Sequence, residues 1–283
     1  MKRFGLIGNP ISTSKSPALF NAGYHGKYTY TLIEEPHFED AWESFLGGYD
    51  GINVTAPFKL DAFARADIRS GVCEKLGAAN LLLKTSEGIA AFNTDFAGIV
   101  LSILDAVSPD GGYSFFIRHG EDFSSAASML AGFFGHTPRA LIAGCGGAGR
   151  AAAAAAATLG CDTVLMNRTP EKALAIAGDM PGASFRIARS GDFPELFAEC
   201  DLTIYTIPGK IEGLEQAVGH ILPGSRKIVL EANYKDPSFS GKELGDRGAT
   251  YISGRRWLLY QALTGFRIFT GENPDFEGMC KVI

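Results

Sequence analysis

The sequence predicts an α/β protein of two domains, an N-terminal α/β domain and a second α/β unit after it. Three observations predict it. Short apolar runs alternate with stretches of helical spacing in both halves of the chain, as when strands are joined by crossover helices. The length of 283 residues is about two domains at ~150 residues each. A glycine-rich turn near the middle follows a short apolar run and precedes an alanine-rich stretch, the signal of a second α/β unit opening there.

Taken in order, Phe4 to Gly8 reads as a short buried strand that ends in a Gly-Asn-Pro turn. A polar loop, Ser12 to Ser16, follows, and Pro17 opens a helix where its missing N–H costs nothing. Tyr28 to Ile33 reads as a second strand, Phe38 to Leu46 as a helix and Gly51 to Thr55 as a third strand. Asn80 to Lys84 and Ile89 to Phe92, joined by Thr85-Ser86-Glu87-Gly88, read as a hairpin. A helix starts at Thr94 or Asp95, either of which also suits an N-cap, and runs to about Val107.

Ser108 to Gly112 reads as a turn or linker, and Ser124 to Phe134 has helical spacing. Residues 108–138 are therefore expected to be an insertion at a domain boundary. The second α/β unit begins near Arg139, with Ala140 to Ala143 as its first strand. Seven alanines, Ala151 to Ala157, suit a helix packed closely on a sheet. Further strands are expected at Thr163 to Asn167, Leu202 to Ile207, Ile228 to Ala232 and Thr250 to Ile252, with a C-terminal helix from Arg256 to Phe269.

Composition narrows the function. With 46% apolar and 20% charged residues, the chain is neither disordered nor fibrous. A net charge of −5 argues against nucleic acid as a partner, because surfaces that bind it are usually basic. No stretch approaches 18 consecutive apolar residues, so no membrane span is expected. The apolar run after Met1-Lys2-Arg3 is broken at Gly5, Gly8 and Pro10, unlike an export signal. Five cysteines without a C-x-x-C pair fit a reduced, cytoplasmic setting. The histidines show no metal spacing, so no metal is expected. No G-x-S-x-G elbow or G-x-x-x-x-G-K-[ST] phosphate loop is present, which disfavours hydrolase and NTPase chemistry.

Gly144, Gly146 and Gly149 form G-x-G-x-x-G between an expected strand and an expected helix, with Gly147 and Ala148 inside it. The first glycine makes a tight turn, the second admits a pyrophosphate to the backbone, and the third packs helix against strand. Unpaired N–H groups at the helix start face the phosphates. The next strand ends in Asn167-Arg168-Thr169, with Lys172 after it. NAD sites usually place an acid here for the ribose 2′-hydroxyl. A guanidinium suits the 2′-phosphate instead, so the expected cofactor is NADP on a Rossmann domain.

The first half places polar residues where strands end: Ser14, Lys15 and Ser16; Asn53, Thr55 and Lys59; Asn80; Asn93, Thr94 and Asp95. In open α/β sheets ligands bind beyond the carboxyl ends of strands. Short hydroxyl and amide side chains there suit a polyhydroxylated small molecule. A lysine and an aspartate brought together can move a proton, the aspartate positioning a substrate hydroxyl while the lysine exchanges its proton.

These residues carry a family resemblance. Gly8-Asn9-Pro10 through Ser14-Lys15-Ser16-Pro17 is similar to the N-terminal signature of the shikimate dehydrogenase family. Asn53 to Lys59 resembles its N-V-T-x-P-x-K segment, Gly77 to Asn80 its G-A-x-N and Asn93 to Asp95 its N-T-D. The glycine-rich turn, Asn167-Arg168-Thr169, Tyr234 and the Gly254…Gln261 spacing follow in the family's order. The resemblance implies NADP-linked interconversion of 3-dehydroshikimate and shikimate. It implies Lys59 as general acid/base with Asp95 as its partner, and Ser14 and Ser16 as carboxylate ligands. Thr55, Asn80 and Gln261 would bind substrate hydroxyls, with Tyr234 in the pocket. It further implies a substrate domain of residues 1–107 completed by 254–283, and a Rossmann domain of residues 139–253. A monomer or homodimer is expected.

The sequence departs from the family at Thr13 and Phe20, where histidines are common, and at Phe96-Ala97, where a glycine usually comes first. Tyr205-Thr206-Ile207-Pro208 replaces the usual N-A-T-S, Trp257 replaces a common Met, and the segment from Asp95 to Gly144 is longer. Quinate or another shikimate analogue is therefore an alternative substrate, and a non-catalytic NADP-binding regulator of the same fold is an alternative function.

Overall fold

The computed structural model describes residues 1–108, 110–222 and 224–283. Pro109, in the turn expected at 108–112, lies outside the described residues. The chain forms two compact units, Met1–Gly98 with Leu259–Ile283, and Ile99–Leu258.

The first unit starts with β1 (Arg3–Gly8), α1 (Ser16–Tyr24), β2 (Thr29–Glu34), α2 (Phe38–Gly48) and β3 (Gly51–Val54). Pro17 sits in the first turn of α1, as its fixed φ favours. Three short elements follow that the sequence pattern did not announce: α3 (Lys59–Arg65), β4 (Ile68–Arg69) and α4 (Gly71–Leu76). Next come the hairpin of β5 (Leu81–Thr85) and β6 (Gly88–Phe92), and then α5 (Thr94–Val107), which leaves the first unit for the second after Gly98. The sheet order is β2-β1-β3-β5-β6-β4. β1, β2 and β3 run parallel, while β5 is antiparallel to both β3 and β6. One face of the sheet buries Ile7, Trp42, Phe45, Ile52, Val54 and Phe58. On the other, the Phe4 ring stacks on Phe269 and meets Phe20, which packs edge-on to Phe266. Each fully buried phenylalanine contributes about 1.5–3 kcal/mol. Phe20, standing where a family histidine is common, is thus a core ring.

The second unit carries α6 (Gly111–His119), α7 (Ala126–Phe134), β7 (Arg139–Ala143), α8 (Gly147–Thr158), β8 (Asp162–Met166), α9 (Pro170–Asp179) and β9 (Phe185–Ala188). A 3₁₀ turn leads to α10 (Phe193–Glu199), β10 (Leu202–Tyr205), α11 (Leu214–Gly219), β11 (Ile228–Glu231), α12 (Gly241–Asp246) and β12 (Thr250–Ile252). The chain returns to the first unit along α13 (Gly254–Thr270) and ends with α14 (Phe276–Cys280). The stretch 108–138 contains α6 and α7 and falls within the second unit. This sheet is parallel throughout, in the order β12-β11-β10-β7-β8-β9. Read from β7, that is the Rossmann order, with the glycine-rich turn at the switch point between β7 and β10. Five alanines of α8 are buried, and their small side chains let the helix lie close on the strands.

Candidate active site

In the first unit the polar residues converge on the ends of β1, β3 and β5. Gly8 closes β1, and a Cβ there would meet Thr55 Cγ2 at 2.4 Å and Ile11 Cγ2 at 2.8 Å. Only glycine lets the serine loop lie beside Thr55, whose own N–H donates to Ile7 O at 2.9 Å. In that loop Ser14 Oγ and Ser16 Oγ are 3.2 Å apart, and the Ser16 N–H donates to Ser14 Oγ at 3.2 Å.

Lys59 lies just past the end of β3, as the first residue of α3. Its Nζ donates to Asp95 Oδ2 at 2.5 Å. The Asp95 side chain is 7% exposed and that of Lys59 26%, so the carboxylate is shielded and the lysine side chain only partly so. Asn80 is buried and uses its whole amide. Its Nδ2 donates to Asp95 Oδ1 at 3.0 Å and Thr94 Oγ1 at 3.1 Å, and its Oδ1 accepts the Thr94 N–H at 2.8 Å. The cap of α5 is Asn93, whose Oδ1 accepts the Asp95 N–H at 3.1 Å. The sequence pointed instead to Thr94 or Asp95. With Asn93 capping, the Asp95 carboxylate faces Lys59. Gln261 is half-buried on α13, one turn before Gly265, which packs against Asn53, Leu81 and Thr94. Ser14, Ser16, Thr55, Lys59, Asn80, Asp95 and Gln261 thus all belong to one unit.

In the second unit the turn at 144–149 has the close approaches its glycines imply. A Cβ on Gly149 would lie 1.9 Å from the Gly144 carbonyl oxygen, whereas one on Gly146 or Gly147 would meet nothing within 4 Å. α8 starts at Gly147, so its free N–H groups open onto that clear space. Asn167 Oδ1 accepts the Cys145 N–H at 3.1 Å and its Nδ2 donates to Thr169 O at 2.9 Å. It is a strut between the glycine turn and the Arg168 loop. Arg168, Thr169 and Lys172 are exposed. These features fit a dinucleotide, with a clear backbone cradle for phosphates and two cations beside it for a further anionic group.

Tyr234 belongs to the second unit, on the loop after β11. Burial raises its pKa, and the nearby Arg255 guanidinium works against the rise. Glu231 is fully buried and accepts the N–H groups of Ser238 and Phe239 and the Tyr251 hydroxyl. It thereby holds that loop. Its one signal in the sequence is an acid at the end of an apolar strand. The departure at 205–208 is tied down in its own way. Tyr205 is fully buried and donates to Gly209 O at 2.7 Å, and Thr206 Oγ1 donates to the carbonyls of Ala143 and Gly144 at 3.0 and 3.1 Å. Among the described residues no cluster of His, Cys, Asp and Glu is of a kind that holds a metal ion, and no helix is long and apolar enough to cross a membrane.

A family model described as the shikimate dehydrogenase substrate binding domain matches residues 6–82. The shikimate dehydrogenase (NADP(+)) of Haloarcula marismortui is 31% identical over 286 residues, covering 99% of this chain and 97% of that protein. The crystal structure of Mycobacterium tuberculosis shikimate dehydrogenase superposes with a TM-score of 0.76 at 26% identity, covering 100% and 98% of the two chains. The quinate dehydrogenase of Corynebacterium glutamicum, solved in complex with NAD, shares the fold with a TM-score of 0.80 at 21% identity, over 99% and 98%.

Proposed function

The chain belongs to the shikimate dehydrogenase family, and from that premise we propose that Lys59 and Asp95 perform its acid–base step, with the turn at 144–149, Asn167, Arg168, Thr169 and Lys172 holding its cofactor. The protein is an NADP-dependent oxidoreductase that interconverts 3-dehydroshikimate and shikimate. The observation that carries the mechanism is the 2.5 Å contact between Lys59 Nζ and the shielded Asp95 carboxylate.

The step needs little more than positioning. A substrate hydroxyl beside the pair donates toward Lys59 or Asp95. In the oxidative direction its proton passes to Lys59 Nζ as hydride leaves the same carbon, and in reduction Lys59 returns the proton to the carbonyl oxygen. Bound at the glycine turn, NADP supplies the hydride acceptor and, when reduced, the donor. Asp95 keeps the amine in place, while Asn80 prevents the carboxylate from rotating. Ser14 and Ser16 donate to the substrate carboxylate and Thr55 and Gln261 bind ring hydroxyls, while Asn80, its amide already engaged, shapes the dyad. Fixing the ring this way turns a bimolecular encounter into an oriented one. Arg168 and Lys172 take the 2′-phosphate.

NADPH absorbance, followed with shikimate and quinate and each with NADP and NAD, tests the function. Turnover of shikimate with NADP is expected. Turnover of quinate in its place would reassign the substrate, and no turnover of either would leave a cofactor-binding protein without this reaction.

A further inference from the structure

The run at 205–208 has Tyr205, Ile207 and Pro208 where polar side chains are usual, and a hydroxyl, on Thr206, where alanine is usual. Thr206 sits one residue past the end of β10. The backbone that carries it is fixed, since its N–H donates to Ala143 O at 2.8 Å and the neighbouring Tyr205 ring is buried against Phe193 and Phe239. Thr206 Oγ1 shares its proton between the carbonyls of Ala143 at 3.0 Å and Gly144 at 3.1 Å. The peptide between Gly144 and Cys145 is thereby held at its oxygen. Its N–H is held as well, donating to Asn167 Oδ1 at 3.1 Å. Gly144 has a φ of +100°, and a Cβ on it would lie 2.6 Å from Thr206 Oγ1. All of these residues belong to the second unit.

We infer that Thr206 is a positioning residue for cofactor binding, whose hydroxyl clamps one end of the Gly144–Cys145 peptide while the Asn167 amide clamps the other. The inference rests on the turn at 144–149 receiving the cofactor's pyrophosphate. Glycine has the softest backbone torsions of any residue, so a peptide plane beside one turns readily unless its polar atoms are engaged. Any turn of this plane carries Gly146 and the first N–H groups of α8 away from a bound phosphate. The two hydrogen bonds remove that freedom before the cofactor arrives, and such preorganisation raises affinity. NADP and NAD share the pyrophosphate, so the clamp serves both alike, whereas Arg168 reads the 2′-phosphate of one. Thr206 acts on the backbone of the turn and not on the Lys59–Asp95 pair, so its hydroxyl affects cofactor binding and leaves proton transfer alone.

Thr206→Val keeps the branched shape and removes the hydroxyl. Titration of protein fluorescence is expected to show the Kd for NADP, and that for NAD with it, raised about 3–10-fold, the worth of one hydrogen bond. At saturating NADP, kcat and the KM for shikimate stay within about two-fold of wild type, the pattern of lost uniform binding. Thr206→Ser, which restores the donor without the methyl group, recovers most of the affinity for both dinucleotides. If Thr206→Val does not fold, Thr206→Ala carries the same expectation. Gly146→Ala tests the underlying assignment of the turn. Gly146 has a φ of −83°, which alanine adopts without strain, and a Cβ there meets nothing within 4 Å, yet it stands where the pyrophosphate approaches. Unchanged Kd values in Thr206→Val, with Gly146→Ala impaired, overturn the inference and leave Thr206 a structural residue, whatever the melting temperature does. A loss confined to NADP overturns it too, since the contact would then serve only the Arg168 loop, and so does a Thr206→Ser variant as weak as Thr206→Val. If Gly146→Ala binds both dinucleotides as wild type does, the turn does not receive the pyrophosphate and the inference falls with that assignment.

Discussion

Lys59 Nζ donates to Asp95 Oδ2 at 2.5 Å across 36 residues of sequence. The sheet builds this contact before any side chain does. The Ala79 N–H donates to Lys59 O at 2.9 Å, Asn80 N–H to Phe92 O at 3.0 Å and Val54 N–H to Asn80 O at 2.8 Å. α3, β5 and the end of β6 are thereby laced together, and Asn80 and Asn93 then fix Asp95 on its helix.

Removing either partner separates chemistry from binding. Lys59→Ala is expected to lower kcat by about 10²–10⁴-fold, the usual worth of one positioned acid or base, with a smaller change in KM for shikimate. Asp95→Asn keeps the shape but loses the charge that holds the ammonium, so kcat falls there too. Steady-state kinetics with NADPH absorbance checks both, and a Lys59→Ala enzyme of wild-type kcat would remove the lysine from the reaction.

How legible these features were in the sequence depended on whether their cause was local. The glycine turn was legible because the reason Gly149 must be glycine, the Gly144 carbonyl, lies within the same short motif. Both hairpin strands and α5 came from periodicity. α3 and α4 are seven and six residues long, too short for a 3.6-residue pattern to rise above the loop around them. The glycine pair at the start of α6 reads as a linker, since the contacts that order it lie elsewhere. The contacts of Thr206 and Glu231 were hidden in the sequence for a different reason. Thr206 acts on Gly144 across 62 residues, and no local spacing encodes such a contact.

Cofactor choice turns on Arg168. Arg168→Ala is expected to raise the Kd for NADP about 10–100-fold, the loss of hydrogen bonds to a charged group, and to leave the Kd for NAD unchanged. Titration of protein fluorescence with each dinucleotide measures both constants. Equal weakening of the two would mean that Arg168 supports the loop and does not read the phosphate.

The glycine turn offers a paired test. Gly149→Ala forces a Cβ onto the Gly144 oxygen, 1.9 Å away, whereas Gly147→Ala meets nothing within 4 Å. The first variant is expected to lose about 1–3 kcal/mol or more to overpacking and to bind NADP poorly. The second should keep its melting temperature, so any loss of NADP affinity in it reports the phosphate's approach to the backbone. Thermal melts with and without NADP separate the two effects.

Alkaline pH tests the buried thiols. Burial pushes Cys73 and Cys161 up to about 12, and Cys145 and Cys200 up to about 11, from 9.0. A raised folded pKa stabilises fully below the unfolded value and is lost as pH climbs through the folded one. These four groups therefore weaken the fold from pH 9 upward. Lys227 opposes them, because burial lowers it from 10.5 to about 8. Between those values the unfolded chain carries a proton that the folded one has shed, so this amine adds stability as pH rises. Above pH 9 four thiols outweigh one amine, and the urea midpoint is expected to rise slightly from about pH 8 to 9 and then fall steadily toward pH 11. Cys73→Ala, which removes one thiol from the balance, should make the decline shallower. A midpoint that rises between pH 9 and 10.5, or a Cys73→Ala curve as steep as wild type, would show that the thiols ionise as easily in the folded chain as in the unfolded one.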